Sequence, residues 1–304
     1  MSTTTTLPAD LRLGYVHLTI ADLDRSLAFY QNVLGFQLHQ RSDNTAYLGA
    51  GGGDLLALTE HPTATRARRT TGLYHFAVLV PSRRELAQVI RRIAQTRTPA
   101  QGASDHLVSE AFYLADPDGN GIEIYRDRPR ADWPRFNDGI RMDTLPMDLD
   151  GVMGELDGLP DEWAGLDAAT VLGHLHLHVR NIPETLTFYR DVLGFDVIMN
   201  MGSALFMSAG GYHHHIGLNT WGTLNAPPAP ADSIGLRYFT VQLPDQSDID
   251  AVVARARSVG AAIEDHAAGV LVRDPSHNAL VFTVAPERRQ AAEAPPAPAA
   301  ARLN

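Results

Sequence analysis

The feature of this 304-residue sequence that most constrains its fold is an internal repeat. Residues 13–37 align with residues 172–196 without gaps at a constant offset of 159, and 11 of the 25 aligned positions are identical. A second, weaker match relates GLYHFAVLVP at 72–81 to GLRYFTVQLP at 235–244. Self-similarity at a fixed offset indicates repeated structural units. The chain therefore divides into four similar modules, at about 13–61, 72–127, 171–220 and 235–285.

Each module shows the same order of predicted elements. It opens with a strand of alternating apolar residues, as at 14–20, a pattern typical of a half-buried strand. In the first module apolar residues then recur at helical spacing from Leu27 to Leu34, and Gly35 ends the helix. Turn signals such as DPDGNG at 116–121 separate three short strands. The sequence therefore predicts an α+β fold of four βαβββ modules.

Two stretches lie outside the modules. The segment between the second and third modules is rich in Pro, Asp and Gly with weak periodicity, and the stretch after Ala285 is rich in Pro and Ala. Such compositions are typical of linkers and of disordered tails. We therefore expect an N-terminal tail at 1–12, a first half of modules 1 and 2 at 13–128, a linker at 129–170, a second half of modules 3 and 4 at 171–285 and a disordered tail at 286–304.

Charge and hydropathy exclude several classes of partner. With 25 basic and 35 acidic residues the formal net charge is −10, whereas nucleic acids and anionic membrane surfaces favour a basic face. No apolar run approaches the roughly 20 residues that cross a bilayer, and the N-terminus MSTTTTLPADLRLG lacks the features of a signal peptide. We therefore expect a cytoplasmic protein that binds neither nucleic acid nor membrane.

The sequence contains 13 histidines and no cysteine. The absence of cysteine excludes disulfides, thiolate zinc sites, iron–sulfur clusters and cysteine nucleophiles. A metal ion bound by this chain must therefore be held by imidazole and carboxylate groups.

Four βαβββ modules in which LGF closes the first helix and DPDGN precedes the last strand resemble the vicinal-oxygen-chelate superfamily. The segments GHLHLHV, SALFMSAGGYHHHIGLN and VSEAFYLADPDGNGIEIYRDRP resemble its four-module catechol-2,3-dioxygenase subgroup. The resemblance covers about residues 11–285 and implies two barrels, each an open curved sheet built by two modules. The superfamily also contains isomerases, epimerases, thiol transferases and metal-free binding proteins, so the resemblance constrains the fold more tightly than the reaction.

The resemblance implies metal ligands on the first and last strands of a module. The first-strand position is His75 in module 2 and His174 in module 3, but Tyr15 and Tyr238 in modules 1 and 4. The last-strand position of module 2 is Glu123. Two histidines and one carboxylate form the usual cage for non-haem Fe(II), with Mn(II) as an alternative. Taken singly, each of these side chains also fits a packing role.

The pairing of the modules decides whether these ligands meet. If modules 1 and 2 shared one barrel and modules 3 and 4 the other, His75 and Glu123 would lie apart from His174. Some four-module relatives instead pair module 1 with 4 and module 2 with 3. Our hypothesis is this second pairing, because it alone brings all three ligands to one metal.

Four further side chains are candidates for catalysis. The resemblance implies an acid–base histidine in the pattern that begins at His214, with His215 as the alternative if the register shifts by one. The other interpretation of 213–215 is a histidine cluster at the surface or behind the metal ligands. A neutral imidazole can take a proton from a catechol and return it later. Tyr113 lies ten residues before Glu123, where ring-cleaving relatives place a tyrosine that donates to the substrate, although it also fits the core. His106 resembles a pocket histidine or stabilises its loop.

The resemblance implies an Fe(II)-dependent extradiol dioxygenase. Its substrates are a small aromatic diol, catechol or a substituted catechol, and O2, and its product is a ring-opened semialdehyde. Cleavage of hydroquinones and metal-free binding of an aromatic compound are the alternatives. Relatives often assemble further, so a homo-oligomer is also an open alternative.

Overall fold

The structure is a computed structural model that describes residues 6–137 and 139–286. The predicted disordered tail lies outside the described residues from position 287 onward, as do residues 1–5 of the predicted N-terminal tail. In chain order the strands are β1 (Arg12–Ile20), β2 (Gln37–Arg41), β3 (Thr45–Gly49), β4 (Asp54–Glu60), β5 (Gly72–Leu79), β6 (Ala100–Asp105), β7 (Ser109–Ala115), β8 (Gly121–Asp127), β9 (Arg135–Phe136), β10 (Gly139–Ile140), β11 (Leu145–Pro146), β12 (Val171–His178), β13 (Asp196–Asn200), β14 (Ala204–Ser208), β15 (Ile216–Asn219), β16 (Gly235–Leu243), β17 (Ile263–His266), β18 (Gly269–Arg273) and β19 (Ala279–Val284).

A helix follows the first strand of each module, and a further short helix and a 3₁₀ turn lie between the second and third modules. None of them, in the described part of the chain, is long and apolar enough to span a membrane. They are α1 (Leu23–Asn32), α2 (Arg83–Gln95), α3 (Leu149–Gly154), α4 (Ile182–Thr187), which continues as a π-helical segment (Phe188–Leu193), and α5 (Gln246–Ser258), with a 3₁₀ turn at Arg130–Asp132.

Local signals in the sequence account for the ends of these helices. The side chains of Asp22, Ser82 and Asn181 cap α1, α2 and α4 by accepting hydrogen bonds from backbone N–H groups of the first turn, which satisfies donors that the helix cannot. Gly35 and Gly194, the glycines of the two LGF motifs, adopt φ values of +74° and +97°. A left-handed backbone favours glycine and ends a helix, so the predicted stop at Gly35 is observed.

Two sheets contain almost all of the strands, and each combines modules from both halves of the sequence. Sheet one has the order β17-β18-β19-β16-β1-β4-β3-β2, and sheet two has the order β11-β6-β7-β8-β5-β12-β15-β14-β13. The central pairs, β1 with β16 and β5 with β12, are antiparallel. Module 1 therefore pairs with module 4 and module 2 with module 3, as hypothesised. In the described part of the chain each sheet ends in two edge strands that pair on one side only, so neither sheet closes on itself. This confirms the predicted α+β class with open sheets.

Strand alternation separates the hydrophobic core from a polar face. In β12, Leu175 and Leu177 are fully buried in the main core, against which the helices pack. His174, His176 and His178 alternate with them and therefore point to the opposite face. The face of sheet two that carries no helix thus presents a row of imidazoles.

The segment 129–170, predicted as a linker, contains several short elements. β9 and β10 form a hairpin within it, and β11 pairs with β6 and so extends sheet two. Arg83 of α2 binds the Asp148 cap of α3, with Nη2 3.2 Å from Oδ2. The segment therefore contributes structure around the polar face. The boundaries of the sequence halves stay a prediction.

Candidate metal centre and active site

Three neighbouring strands of sheet two bring the predicted ligands together. Ala77 at the middle of β5 lies in register with Glu123 of β8 on one side and with His174 of β12 on the other. His75 precedes Ala77 by two residues and therefore lies on the same face. Because alanine is small, the space above it is open to the longer side chains around it. One ligand atom from each of His75, Glu123 and His174 lies within 4.8 Å of the other two.

The cluster is buried and its charges are complementary. Nε2 of His174 lies 3.2 Å from Oε2 of Glu123 and donates to it. Nε2 of His75 lies 3.1 Å from the same oxygen, but its orientation does not make a hydrogen bond, so this buried nitrogen has no partner among the described residues. The side chains are 10%, 4% and 2% exposed for His75, Glu123 and His174. A buried carboxylate is costly unless a cation or donors compensate it.

Burial and the neighbouring groups set the protonation of the cluster. Burial raises the pKa of Glu123, but His174 and His75 outweigh it and hold the pKa well below its usual range. Burial lowers the pKa of His174 despite the nearby carboxylate. An ionised carboxylate and neutral imidazoles are the forms that bind metals.

The donor set fits a divalent transition metal. Two imidazoles and one carboxylate on a preformed wall leave positions open for other ligands, and the unpartnered Nε2 of His75 is a donor atom that the protein itself does not use. The prediction that the three residues converge is confirmed. Their role as metal ligands stays a prediction.

Sheet one lacks this donor set at the equivalent positions. Tyr15 and Tyr238 replace the two histidines, and their hydroxyl oxygens lie 3.0 Å apart in a hydrogen bond. Val281 stands where Glu123 stands in sheet two and is fully buried. Within the described residues, the metal-ligand group of sheet two is therefore the one candidate centre.

His214 lines the cavity above the cluster, and two residues fix its orientation. Its ring centroid is 4.1 Å from that of His174. Nδ1 of His214 lies 2.8 Å from Nδ1 of His213, and Nε2 of His213 lies 2.8 Å from Oδ1 of Asp127. A carboxylate only accepts, so His213 donates from Nε2, and in its neutral form accepts at Nδ1 from His214. His214 then carries its proton on Nδ1 and leaves Nε2 free as a base.

His215 is not among the residues that line this cavity, whereas His214 is. Its Nδ1 accepts from the hydroxyl of Ser208 at 3.0 Å and from the backbone N–H of Ala209 at 3.3 Å. Burial lowers the pKa of His215 to about 3. The position of His214 in the cavity lining and the contacts of His215 therefore favour His214 as the acid–base candidate.

Tyr113 and His106 form one hydrogen-bonded pair at the cavity wall. Tyr113 of β7 lies directly opposite Glu123, and its hydroxyl is 2.7 Å from Nε2 of His106. Nδ1 of His106 lies 2.8 Å from the carbonyl oxygen of Asp143, which can only accept. Neutral His106 therefore donates from Nδ1 and accepts a hydrogen bond from the Tyr113 hydroxyl at Nε2. Burial, followed by the Glu123 carboxylate, raises the pKa of Tyr113. His106 thus lines the cavity and also anchors segment 129–170.

A cavity of about 480 Å³ lies over the cluster. This is within the range of pockets that enclose small ligands. Its polar wall contains the cluster, His214 and the Tyr113–His106 pair. Its apolar wall contains aromatic and thioether side chains, namely Tyr74, Met142, Met199, Met201, Phe206 and Trp221.

The sequence interpretation missed Asp127 and His213. The sequence could have indicated Asp127, because Glu123 and Asp127 are four residues apart on one strand and so share a face. His213 carried no such signal, because it precedes β15 in an irregular segment. The apolar wall was missed as well, since its residues come from separate elements.

Comparisons with known proteins agree with the fold. Residues 12–124 and 171–282 match the family model described as Glyoxalase/Bleomycin resistance protein/Dioxygenase superfamily. A catechol-2,3-dioxygenase of Bacillus subtilis (strain 168) is 47% identical over 286 residues, which cover 92% of this chain and 99% of that protein.

Solved structures show the same fold at low sequence identity. A Bacillus subtilis structure provisionally assigned as a dioxygenase has a TM-score of 0.63 at 15% identity and covers 93% of this chain and 87% of its own. Glyoxalase I from Zea mays has a TM-score of 0.55 at 14% identity, with coverage of 90% and 92%. The predicted vicinal-oxygen-chelate fold is thereby confirmed, and the chain belongs to the glyoxalase/bleomycin resistance protein/dioxygenase superfamily.

Proposed function

We propose that this protein is an Fe(II)-dependent extradiol dioxygenase that opens the ring of catechol or a substituted catechol with O2 and yields a ring-opened semialdehyde. The observation that carries the proposal is the convergence of His75, Glu123 and His174 in the lining of one cavity. The enzyme class rests on the identity of 47% to a catechol-2,3-dioxygenase over almost the whole of both chains.

In this proposal His75, Glu123 and His174 hold the metal. Fe(II), or Mn(II) as the alternative, supplies a Lewis acid for the diol and a path for electrons from the ring to oxygen. The protein contributes position: the ligands come from one wall, so the ring and O2 share the remaining side of the cavity.

His214 is the proposed general base for the diol. Burial, followed by the nearby His174, lowers the pKa of His214 well below its usual value, so the ring is neutral at physiological pH. Its Nε2 is the free basic atom because the Asp127–His213 pair holds its proton on Nδ1. A base in this tautomer can accept a diol proton and return it to the product.

Tyr113 is the proposed contact to the diol beside the metal. Its hydroxyl donates to His106, so its oxygen can accept a hydrogen bond from a substrate hydroxyl. When His106 is protonated the direction reverses, and Tyr113 donates to a substrate oxygen. The pair thus offers a hydrogen bond to either protonation state of the diol.

The apolar wall selects for an aromatic body. Met199, Met201, Phe206 and Trp221 line the same cavity as the metal-ligand cluster. Apolar side chains with a few convergent polar groups favour a ring that carries hydroxyls at one edge. A single ring fits the volume of about 480 Å³.

Hydroquinone cleavage is the second candidate function. The superfamily that the chain resembles has a hydroquinone-cleaving branch in which module 2 also pairs with module 3. Sheet two has the same pairing. In a hydroquinone the two hydroxyls are para, so only one reaches the metal. A metal-free binder of aromatic compounds is disfavoured by the retained donor set.

The test is turnover by protein loaded with Fe(II) in the absence of oxygen. Catechol and hydroquinone are supplied side by side, and O2 consumption and products are measured. Exclusive turnover of hydroquinone would overturn the substrate assignment. Substoichiometric iron with no gain of activity on reloading would favour the metal-free binder.

Ligand variants complete the test. His75→Ala and His174→Ala are expected to lose bound iron, whereas Tyr238→Phe, at the position of sheet one equivalent to His75, is expected to keep it. Full iron occupancy in His174→Ala would contradict the proposed centre.

A further inference from the structure

We infer that a second cleft in this protein binds a small organic anion that carries at least two negative charges on carboxylate or phosphate groups. The cleft has a volume of about 860 Å³ and lies where the two sheets meet. Its walls are the segments 66–73 and 228–238, the strands β17 and β18, and the turn before β19. It contains none of the three residues of the metal-ligand cluster, so this inference does not rest on the proposed function.

The charge of the cleft is opposite to that of the whole chain. Five arginines and one glutamate line it, which gives a formal charge of +4 with neutral histidines, whereas the chain carries −10. Concave surfaces lined by one sign of charge concentrate counter-ions. The arginines are Arg66, Arg68, Arg69, Arg237 and Arg273.

Most of these guanidinium groups have no acidic partner within residues 6–137 and 139–286. Among the ion pairs of the described residues, one involves a cleft arginine, Arg273, whose Nε lies 3.2 Å from Oε1 of Glu264. Arg66 donates to the carbonyl oxygen of Asp118 at 3.3 Å, and Arg237 donates weakly to Thr19 at 3.4 Å. Guanidinium forks that lack a carboxylate partner are suited to bidentate binding of carboxylates and phosphates.

Hydrogen bonds between the walls hold the cleft in shape. The backbone N–H of Ile234 donates to the carbonyl of Thr65 at 3.2 Å, and Thr71 joins the opposite side through its hydroxyl, 2.7 Å from the carbonyl oxygen of Ser276. Arg69 adopts φ of +55°, which is costly for a side chain of this kind and is maintained by its surroundings. These contacts fix the backbone of the segments that carry the arginines.

The internal repeat relates this cleft to the metal cavity. In the match of 72–81 with 235–244, Arg237 stands where Tyr74 lines the metal cavity. Leu271 opposes Val281 in β18–β19, as Tyr113 opposes Glu123 in β7–β8. The cleft thus lies on the side of sheet one that corresponds to the catalytic side of sheet two, and Arg237 stands at the position of Tyr74.

The apolar part of the lining indicates an organic ligand. Trp221, Leu236, Tyr238 and Leu271 all face the cleft. A bare inorganic ion would leave these surfaces without a partner, whereas an anion with a carbon skeleton covers them. Trp221 lines both the cleft and the metal cavity.

The test is calorimetric titration of the full chain with two probes, inorganic pyrophosphate and muconate, a six-carbon dicarboxylate. We expect at least one of them to bind saturably at one site per chain, with an affinity that falls as salt rises. Binding of pyrophosphate alone assigns phosphate chemistry to the ligand, and binding of muconate alone assigns a carboxylate source. No saturable binding of either probe at physiological ionic strength would overturn the inference.

Arginine variants locate the binding. Replacing one charged donor in such a site weakens binding by roughly tenfold or more, so Arg68→Gln and Arg237→Gln are each expected to raise the Kd by this factor. Arg84→Gln, which removes an exposed arginine of α2 outside the cleft, is the matched control and should leave the Kd unchanged. Equal affinity of the wild type and both cleft variants, with their circular dichroism spectra unchanged, would place the binding elsewhere and refute the inference.

Discussion

Replacement of Asp127 by asparagine tests whether the Asp127–His213 pair sets the tautomer of His214. The carboxylate accepts from His213 at 2.8 Å, and His213 in turn accepts from His214 at 2.8 Å. An asparagine can turn its NH2 group toward His213, which then must donate from Nδ1. His214 would accept at Nδ1 and carry its proton on Nε2, so the base that faces the cavity would be lost.

The size of the effect follows from the role of His214. A positioned general base contributes roughly 10² to 10⁴ in rate, which corresponds to about 2.7 to 5.4 kcal/mol of transition-state stabilisation. We therefore expect kcat of Asp127→Asn to fall by roughly 10² or more. Asp127 does not belong to the metal-ligand cluster, so the iron content should not change.

The assay combines kcat for catechol with iron quantification on the same preparations. Asp54→Asn is the matched control, because Asp54 makes the same kind of contact in sheet one, with Oδ1 2.8 Å from Nδ1 of His39. The control is expected to keep full activity. An iron-replete Asp127→Asn enzyme with the kcat of the wild type would refute the argument, and a loss of iron in parallel with activity would reassign Asp127 to a structural role.

Three further predictions concern the centre and the fold. Ala77→Val should reduce iron occupancy without removing a ligand, because its methyl groups would enter the space between Glu123 and His174; iron quantification checks this. Tyr113→Phe should lower kcat by roughly tenfold to a hundredfold, because it removes one hydrogen bond to a charged group, and steady-state kinetics at full iron occupancy checks it. Burial lowers the pKa of His17 to about 3 in the folded protein, whereas a histidine in the unfolded chain has a pKa of about 6.5. Below pH 6.5 the unfolded chain therefore binds this proton more readily than the folded protein does, and the free energy of unfolding falls as the pH decreases. At pH 5 this one histidine costs about 2 kcal/mol, and thermal unfolding of His17→Gln should depend less steeply on pH between 7 and 5 than that of the wild type.

The proposed ligand set came from the resemblance to the vicinal-oxygen-chelate superfamily, which implies ligands on the first and last strands of a module. The module register then identified His75 and His174 at the first-strand position and Glu123 at the last-strand position. Their convergence depended on the pairing of modules. We inferred that module 2 pairs with module 3 because one metal ion needs all three side chains. If each half of the sequence formed its own sheet, neither sheet would contain all three. The topology bears out this pairing.

The hydrogen bonds that link Asp127, His213 and His214 could not be predicted in the same way. His213 lies before β15 in a stretch without strand periodicity, and its partner Asp127 belongs to the other half of the sequence. The contact between them exists only because modules 2 and 3 share a sheet. Sequence patterns report on faces within one element, whereas this contact joins two elements across a sheet.

The contribution of segment 129–170 was also hidden. Its composition is typical of a linker, yet Met142 and Asp143 reach the cavity and β11 pairs with β6. Short strands of two residues have no periodicity to detect. The alternation rule needs about four residues before it distinguishes a strand from a loop.

The two sheets differ in one chemical respect that bears on the expected number of metal ions per chain. In sheet one, burial raises the pKa of Tyr15 and of Tyr238, so both phenols stay neutral, and Val281 supplies no charge. A divalent cation placed there would face neutral oxygens only and would lose its hydration without compensation. In sheet two the ionised Glu123 offsets part of the charge and the imidazoles supply lone pairs. We therefore expect one metal per chain despite the duplication of the fold, and the concentration of histidine in the two inner modules agrees with that expectation.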